Sequence, residues 1–343
     1  MSTLIKIRDL AVSYFTYAGE VQSVRGVDLD IENGKTTAIV GESGCGKSVT
    51  AKTLLGLIER PGKVKDGSHI YYGEDEQDIL TFTEKQWQAF RGKECSMIFQ
   101  DALVSLNPTM PVGKQIMENL ANHNDGGMSQ GAMRERAREM LDLVGIPDSE
   151  SCMEKYPHEL SGGMRQRVMI ATALITDPKL LIADEPTTSL DVTIQAQILE
   201  LMKQLQKKLG MAIIMITHDL GVVADMADNI IVMYAGKIVE RGVSEDIFYD
   251  PRHPYTWALM NSVPRLDLDR KEQLTTIEGS IPDVIHPPKG CPFCSRCPYA
   301  MNVCAEYMPE PLDISDTHQV SCWLTDPRAD MSGVPFKTGG KNI

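Results

Sequence analysis

Gly41-Glu42-Ser43-Gly44-Cys45-Gly46-Lys47-Ser48 decides how this chain is read. It has the form G-x-x-x-x-G-K-S, a loop whose glycines let backbone N–H groups turn toward anionic oxygens. Lys47 would reach the β- and γ-phosphates of a nucleotide, and the Ser48 hydroxyl would ligate Mg²⁺. The motif needs a strand before it and a helix after it. Thr37 to Val40 is a short β-rich apolar run, and Ser48 to Leu57 carries Val49, Leu54 and Leu57 at helical spacing. A helix N-terminus behind the loop would add partial positive charge where the phosphates sit.

Further from the loop, Leu180 to Ala183 is an apolar run that ends in Asp184 and Glu185. Such a run reads as a buried parallel strand, and carboxylates at its end lie where α/β sheets bind ligands. With a phosphate loop upstream, metal and water chemistry is a better reading than a capping Asp. Ala212 to Thr217 is a second apolar run, ending at His218. A histidine at a strand end is commonly structural; at the same sheet edge as Asp184 it becomes a γ-phosphate candidate. Leu160-Ser161-Gly162-Gly163 precedes a helix expected to run to Ile175, with Ser161 as its N-cap. Tyr14 lies in an early strand, either half-buried or stacked on a purine base.

The elements between are expected as follows. Residues 4–40 read as short strands with a turn at Glu32 to Lys35. Residues 58–95 are mixed and polar, with turns at Pro61-Gly62 and Asp66-Gly67. Cys95 to Gln100 is a short strand. Val112 to His123 and Ser129 to Val144 read as helices of an insert, and Val192 to Leu209 as a long amphipathic helix. Ala235-Gly236 reads as a hairpin turn. The expected class is therefore α/β. After about residue 245, prolines recur and five cysteines follow (Cys291, Cys294, Cys297, Cys304 and Cys322), marking an appended region poor in regular structure.

Composition sets the outer limits. The 343 residues suffice for two or three domains. The formal net charge of −13, from 47 acidic and 34 basic residues, argues against nucleic acid as the main partner. Neither a signal-like N-terminus nor an apolar run of membrane-spanning length is present, so a cytoplasmic location is expected. There, clustered cysteines favour metal over disulfides.

Together these motifs resemble the nucleotide-binding subunit of an ABC transporter over residues 1 to about 325. Gly41–Ser48 matches the phosphate loop and Gln100 the lid glutamine. Leu160–Gln166 matches the signature L-S-G-G-x-x-Q, and Leu180–Glu185 the second acidic motif. Ser189-Leu190-Asp191 matches the D-loop, His218 the switch histidine and Tyr14 the adenine-stacking aromatic. Finer likeness points to the oligopeptide/dipeptide importer ATPases: Gln100-Asp101 followed by Ser105-Leu106-Asn107-Pro108, His253-Pro254-Tyr255-Thr256, and the cysteine-rich tail. Cys45 stands where that family usually has Ser, Ala102 where it has Pro, and Cys294 is extra.

The resemblance implies a P-loop NTPase fold of ABC type. A RecA-like core would carry a β-subdomain and a helical insert at about 101–178. The nucleotide-binding domain would occupy 1–245 and an irregular metal-binding extension 246–343. It implies ATP and Mg²⁺ as cofactors. Gly41, Ser43, Gly44, Cys45, Gly46, Lys47, Ser48, Val49 and Tyr14 would bind the nucleotide. Glu185 would polarise water, Asp184 would hold Mg²⁺ through water, Gln100 and Ser48 would ligate it, and His218 would fix the γ-phosphate. Ser161, Gly162, Gly163, Gln166 and Asp191 would serve the site of a second ATPase subunit, by family habit a paralogue. Further implied partners are two polytopic membrane subunits and, indirectly, an extracellular binding protein, with the chain on the cytoplasmic face of the membrane. In the tail, four thiolates suit Zn²⁺ or an iron–sulfur cluster. Spacing alone nominates Cys294, but the family pattern repeats at Cys291, Cys297, Cys304 and Cys322, so a [4Fe-4S] cluster on those four is expected, with zinc as the alternative. Cys45, near Lys47 and a helix start, is expected to be a reactive thiolate. The cargo stays open among dipeptides, longer peptides, glutathione, nickel chelates and oligosaccharides. A non-transport ABC ATPase and a cytosolic redox or metal-binding protein are the competing classes.

Overall fold

The computed structural model describes residues 2–100, 105–124, 127–188, 190–262 and 277–334. In chain order its elements are β1 (Thr3–Thr16), β2 (Gly19–Glu32), β3 (Thr36–Val40), α1 (Lys47–Thr53), β4 (Gly62–Val64), β5 (His69–Tyr72), β6 (Gln77–Asp78), α2 (Glu84–Phe90), β7 (Cys95–Ile98), α3 (Val112–Asn122), α4 (Gln130–Leu143), α5 (Ser149–Glu154), α6 (Gly162–Leu174), β8 (Leu180–Asp184), α7 (Val192–Leu209), β9 (Ala212–Ile216), α8 (Leu220–Met226), β10 (Asn229–Tyr234), β11 (Lys237–Val243), α9 (Ser244–Tyr249), α10 (Pro254–Asn261), α11 (Asn302–Glu306), β12 (Leu312–Asp313) and β13 (Gln319–Val320). They fall into two units. One comprises Met1–Leu4, Ile31–Thr36 and Leu80–Ile216; the other comprises Ile5–Asp30, Thr37–Ile79 and Thr217–Ile343.

The first unit is built on parallel strands. β7 pairs with β8 (Met97↔Ile182) and β8 with β9 (Ile182↔Ile214). Every residue of β8 and β9 is buried, as continuous apolar runs covered on both faces must be. The helices begin where their caps put them. Ser129 Oγ accepts from Ala132 N at 3.2 Å ahead of α4, and Ser161 Oγ from Met164 N at 3.3 Å ahead of α6. Asp191 Oδ1 accepts from Ile194 N at 2.9 Å ahead of α7, and Gly210, at φ 67°, ends that helix. Two helices of this unit were not expected. α2 starts from a capping box between Thr83 and Gln86, and α5 from Asp148, whose own φ is 54°. Both are short, six or seven residues, and carry too little periodicity to stand out from a polar stretch.

The second unit corrects the reading of residues 4–31. Instead of several short strands there are two of 14 residues, β1 and β2. Alternation fails in each because its phase slips. In β1 the buried set passes from Ile5 and Ile7 to Leu10 and Val12; in β2 it passes from Val24 to Val27, Leu29 and Ile31. The slips coincide with Asp9 at φ 49° and Gly26 at φ 69°, and Asp9 N–H donates to Asp28 Oδ1 at 2.9 Å. An extra residue at a bulge moves every later side chain to the other face. The turn expected at Pro61-Gly62 forms, with Gly62 N–H donating to Glu59 O at 2.8 Å, and Gly62 also begins β4, paired with Tyr14 of β1. β1 also pairs with β5 (Ile7↔Ile70).

β3 pairs in parallel with β10 (Ile39↔Ile231), and β10 turns back through Ala235-Gly236 into antiparallel β11. Helix α1 is shorter than expected and stops at Thr53, where Leu54, Leu55 and Gly56 close tighter turns onto Ala51, Lys52 and Thr53 carbonyls. The extension has more order than its prolines suggest. β13 adds to β11 (Glu240↔Val320), and β12 pairs with β13. Tyr255, Met260, Cys291, Phe293 and Cys304 are buried in one cluster with Ala38, Val40, Val232 and Tyr234. The extension thus shares the core behind the phosphate loop. Residues 335–343 lie outside the described residues.

Candidate active site

The phosphate loop is built by close backbone approach. A Cβ on Gly41 would stand 2.2 Å from Met233 O, and one on Gly46 would stand 2.4 Å from Ser23 O; φ is +148° and +103° respectively. Only glycine suits both positions. Cys45 N–H donates to Glu42 O at 3.3 Å, and Cys45 O accepts from Gly236 N–H at 3.0 Å, so the β10–β11 hairpin turn braces the loop. Ser43 and Gly44 stand exposed at the tip, with Ser48 and Val49 half-buried behind. Lys47, only 7% exposed, points its Nζ at Gly41 O (2.7 Å) and Glu42 O (2.9 Å). A buried ammonium at a glycine-rich turn is suited to meet an anion.

Cys45 departs from expectation. It is 1% exposed, and burial pushes its thiol up; the Lys47 ammonium pulls the other way without overcoming that. Burial thus opposes the thiolate that the neighbouring charge favours.

In the first unit, the acidic pair stands at the end of β8. Asp184 is 5% exposed. Glu185 follows at φ 49°, its N–H donating to Ile216 O at 2.8 Å. That left-handed turn swings its carboxylate off the strand direction. Glu185 Oε2 accepts from Gln100 Nε2 at 2.9 Å and from Thr188 Oγ1 at 3.0 Å. The structure thereby joins Gln100 and Glu185, which lie 85 positions apart. Thr188 is a partner that the sequence reading missed; a hydroxyl three positions after a strand-end carboxylate was the available signal.

Elsewhere in that unit, Ser161 and Gly162 are exposed at the start of α6, and Gly163 backs onto Ile194 of α7. Gln166 differs from them: it is 5% exposed and its Nε2 is buried with no hydrogen-bond partner among the described residues. Asp191 serves as the α7 cap. Ser189, Asp101 and Ala102 lie outside the described residues. In the second unit, His218 is exposed just before Asp219, the cap of α8. Tyr14 is half-buried at the end of β1 beside Gly62, its hydroxyl pushed up by burial and by Glu59.

The five tail cysteines are free thiols lining one small cavity walled by Phe293, Trp323 and Leu324. Burial pushes Cys291 up to about 12 and Cys297 up to about 11, with neighbouring thiols adding to it. Among the described residues no group of three or more His, Cys, Asp or Glu side chains is arranged to hold a metal ion. No helix among the described residues is long and apolar enough to cross a membrane.

Two family models match the chain: "ABC transporter" over residues 24–188, and "Oligopeptide/dipeptide transporter, C-terminal region" over residues 239–304. The oligopeptide transport ATP-binding protein OppD of Bacillus subtilis is 55% identical over 96% of this chain and 91% of its own length. The dipeptide transport ATP-binding protein DppD of the same organism is 52% identical over 96% and 97%. OppD of Salmonella typhimurium is 50% identical over 88% of each. Among solved structures, the ATP-binding cassette MJ0796, in a dimeric post-hydrolysis state bound to ADP and Pi, aligns with a TM-score of 0.63 at 26% identity. That alignment covers 70% of this chain and 99% of MJ0796. On this likeness, carried through both the loop-bearing core and the cysteine-rich tail, the chain belongs to the ABC transporter ATP-binding proteins, in the group with the oligopeptide/dipeptide C-terminal region.

Proposed function

We propose that this chain binds ATP with Mg²⁺ and hydrolyses it to energise a membrane importer of oligopeptides or dipeptides. The observation that carries the chemistry is Glu185, swung off the end of a buried parallel strand with its carboxylate oriented by Gln100 and Thr188. A carboxylate so fixed can take a proton from an attacking water. Gly41, Ser43, Gly44, Cys45, Gly46 and Lys47 cradle the phosphates, with Val49 behind and Tyr14 against the base. Ser48, Gln100 and Asp184 would hold Mg²⁺, whose bound form supplies charge neutralisation on the phosphates. His218 fixes the γ-phosphate. Phosphoryl transfer asks for positioning and charge stabilisation more than covalent chemistry, and these residue types supply both. The peptide class rests on the relatives' names and on the tail they share. The test is ATP-driven uptake of a labelled peptide by proteoliposomes holding the assembled importer. Uptake that ignores ATP, or a complex that never retains this chain, overturns the reading.

Residues 1–245 form the nucleotide-binding domain of this reading and 246–343 the extension. The working assembly pairs the chain with a second, paralogous ATPase subunit on the cytoplasmic face of two polytopic permease subunits, fed by an extracellular binding protein. Ser161, Gly162, Gly163, Gln166 and Asp191 then act toward the partner's nucleotide. The acidic balance argues against nucleic acid as the main partner.

The same reading places a [4Fe-4S] cluster on Cys291, Cys297, Cys304 and Cys322, with zinc as the alternative. Support comes from the shared cavity and from mutual influence: the Cys322 thiol, pushed up first by burial, is raised further by Cys291, Cys297 and Cys304. Such crowding of thiols is relieved by a bound cation, whose role would be to knit the tail together. Anaerobic purification, metal analysis and a visible spectrum test it. A colourless protein with stoichiometric zinc supports the alternative; metal lost in Cys294→Ser but kept in Cys322→Ser overturns the ligand set.

A further inference from the structure

The phosphate loop is held from outside itself. Arg296 ends the short turn Cys294–Arg296 in the extension. Its guanidinium meets the carboxylate of Glu42, the second loop residue, with two prongs: Nη1 to Oε2 at 2.7 Å and Nη2 to Oε1 at 3.0 Å. The same group donates to Tyr234 Oη at 3.0 Å, to Ile277 O at 3.0 Å and to Glu278 O at 2.9 Å. Arg296 is 5% exposed as a side chain and Glu42 24%. A planar donor fork bound at every edge fixes direction as well as distance. The backbone of Glu42 is held as well. Its N–H donates to Tyr255 Oη at 2.9 Å, and its carbonyl accepts from Lys47 Nζ at 2.9 Å. Two of these three holds come from beyond residue 250, in a region with no part in the motif.

We propose that Arg296 is a positioning residue for nucleotide binding, setting the conformation of the phosphate loop through Glu42 without touching the nucleotide. The proposal rests on the reading of Gly41–Ser48 as the ATP site. A loop containing Gly41, Gly44 and Gly46 has many conformations to lose, and ordering it costs free energy. Affinity scales with the fraction of time the loop spends in a form that can bind. A buried two-pronged pair raises that fraction before ATP arrives. Lys47 bonds the same Glu42 carbonyl, so a displaced Glu42 also misplaces the ammonium that meets the phosphates. If the pair only anchored the tail, its loss would lower stability and leave ATP affinity alone.

The experiment uses the assembled importer carrying Arg296→Gln, Arg296→Lys, Glu42→Gln, or Arg296→Gln with Glu42→Gln. Equilibrium ATP binding, KM and kcat, and thermal unfolding are measured on each. A charge-assisted pair of this kind sets the scale: Arg296→Gln should weaken ATP binding and raise KM about tenfold, while kcat stays within about twofold. Arg296→Lys, keeping the charge but one prong, should recover part of the loss. Glu42→Gln should match Arg296→Gln, and the double variant should be no worse than either, because both act through one contact. Glu42→Gln also stands in if Arg296→Gln does not fold, since it leaves the guanidinium with Tyr234 and two carbonyls. Unchanged ATP affinity beside a lowered unfolding midpoint, or losses that add in the double variant, overturns the proposal. Should the unsubstituted importer bind no ATP, the reading of the loop falls and takes this assignment with it. Binding there with unaffected variants removes Arg296 alone.

Discussion

Glu185→Gln keeps the side chain's size and removes its basicity. In the structure Oε2 accepts from Gln100 Nε2 at 2.9 Å and from Thr188 Oγ1 at 3.0 Å, so the carboxylate is aimed by two donors. The amide retains one oxygen for those donors, and the site is half-exposed, so the fold should tolerate the change. What disappears is the lone pair that takes a proton from water. Positioned general bases contribute roughly 10²–10⁴ in rate, which corresponds to about 2.7–5.5 kcal/mol of barrier. ATP binding should stay within a few-fold, because a carboxylate repels rather than holds the phosphates. The assay is steady-state phosphate release by the assembled importer, paired with retention of labelled ATP. Thr188→Val calibrates it: removing one of two aiming donors should slow release by about 3–10-fold, the scale of a single partly exposed hydrogen bond. Release by Glu185→Gln above about a tenth of the parent rate would refute the base assignment. So would a Thr188→Val defect as large as that of Glu185→Gln.

Three further outcomes follow from burial and backbone geometry. Gly46→Ala should cost at least about 1–3 kcal/mol, the scale of backbone forced into a sparsely populated region, since its Cβ would meet Ser23 O at 2.4 Å; urea unfolding reads this, and a neutral result would mean the loop can shift. Glu240, fully buried, accepts from Arg252 N at 2.6 Å and His253 N at 3.0 Å and pairs with His318 Nε2 at 2.7 Å. Glu240→Ala strands these groups and should destabilise by about 3–5 kcal/mol in the same assay. Burial pushes the Cys95 thiol well up, so the folded chain keeps a proton that the unfolded chain releases. The stability this gives is complete below the ordinary thiol value of about 8.5 and is lost as pH rises above it. Unfolding midpoints at neutral and alkaline pH should converge in Cys95→Ala relative to the parent, and an unaltered slope would exclude Cys95 as the source.

Much of the site was legible because its signals are local. The glycines of Gly41–Ser48, the acidic end of Leu180–Glu185, and the cap Ser161 each act within a few residues of themselves. Spacing and residue type therefore carry them, and strands Leu180–Asp184 and Ala212–Ile216 and the long helices formed where periodicity placed them. Phase slips are different. Nothing in residues 4–31 announces that Asp9 and Gly26 would take left-handed conformations, and that step fuses short apolar runs into two long strands. Cys45 shows the same limit in electrostatics. Its neighbours in sequence argue for a thiolate, but desolvation by distant parts of the chain outweighs them and only the fold reveals it. The tail is the largest case. Its prolines and cysteines speak of an appendage, yet Tyr255 and Phe293 pack with Tyr234 behind the phosphate loop, and Arg296 grips Glu42 from 254 positions away. Motif chemistry is written in adjacent residues. Burial, bulges and long-range ion pairs depend on which surfaces meet after folding, and no local spacing encodes that.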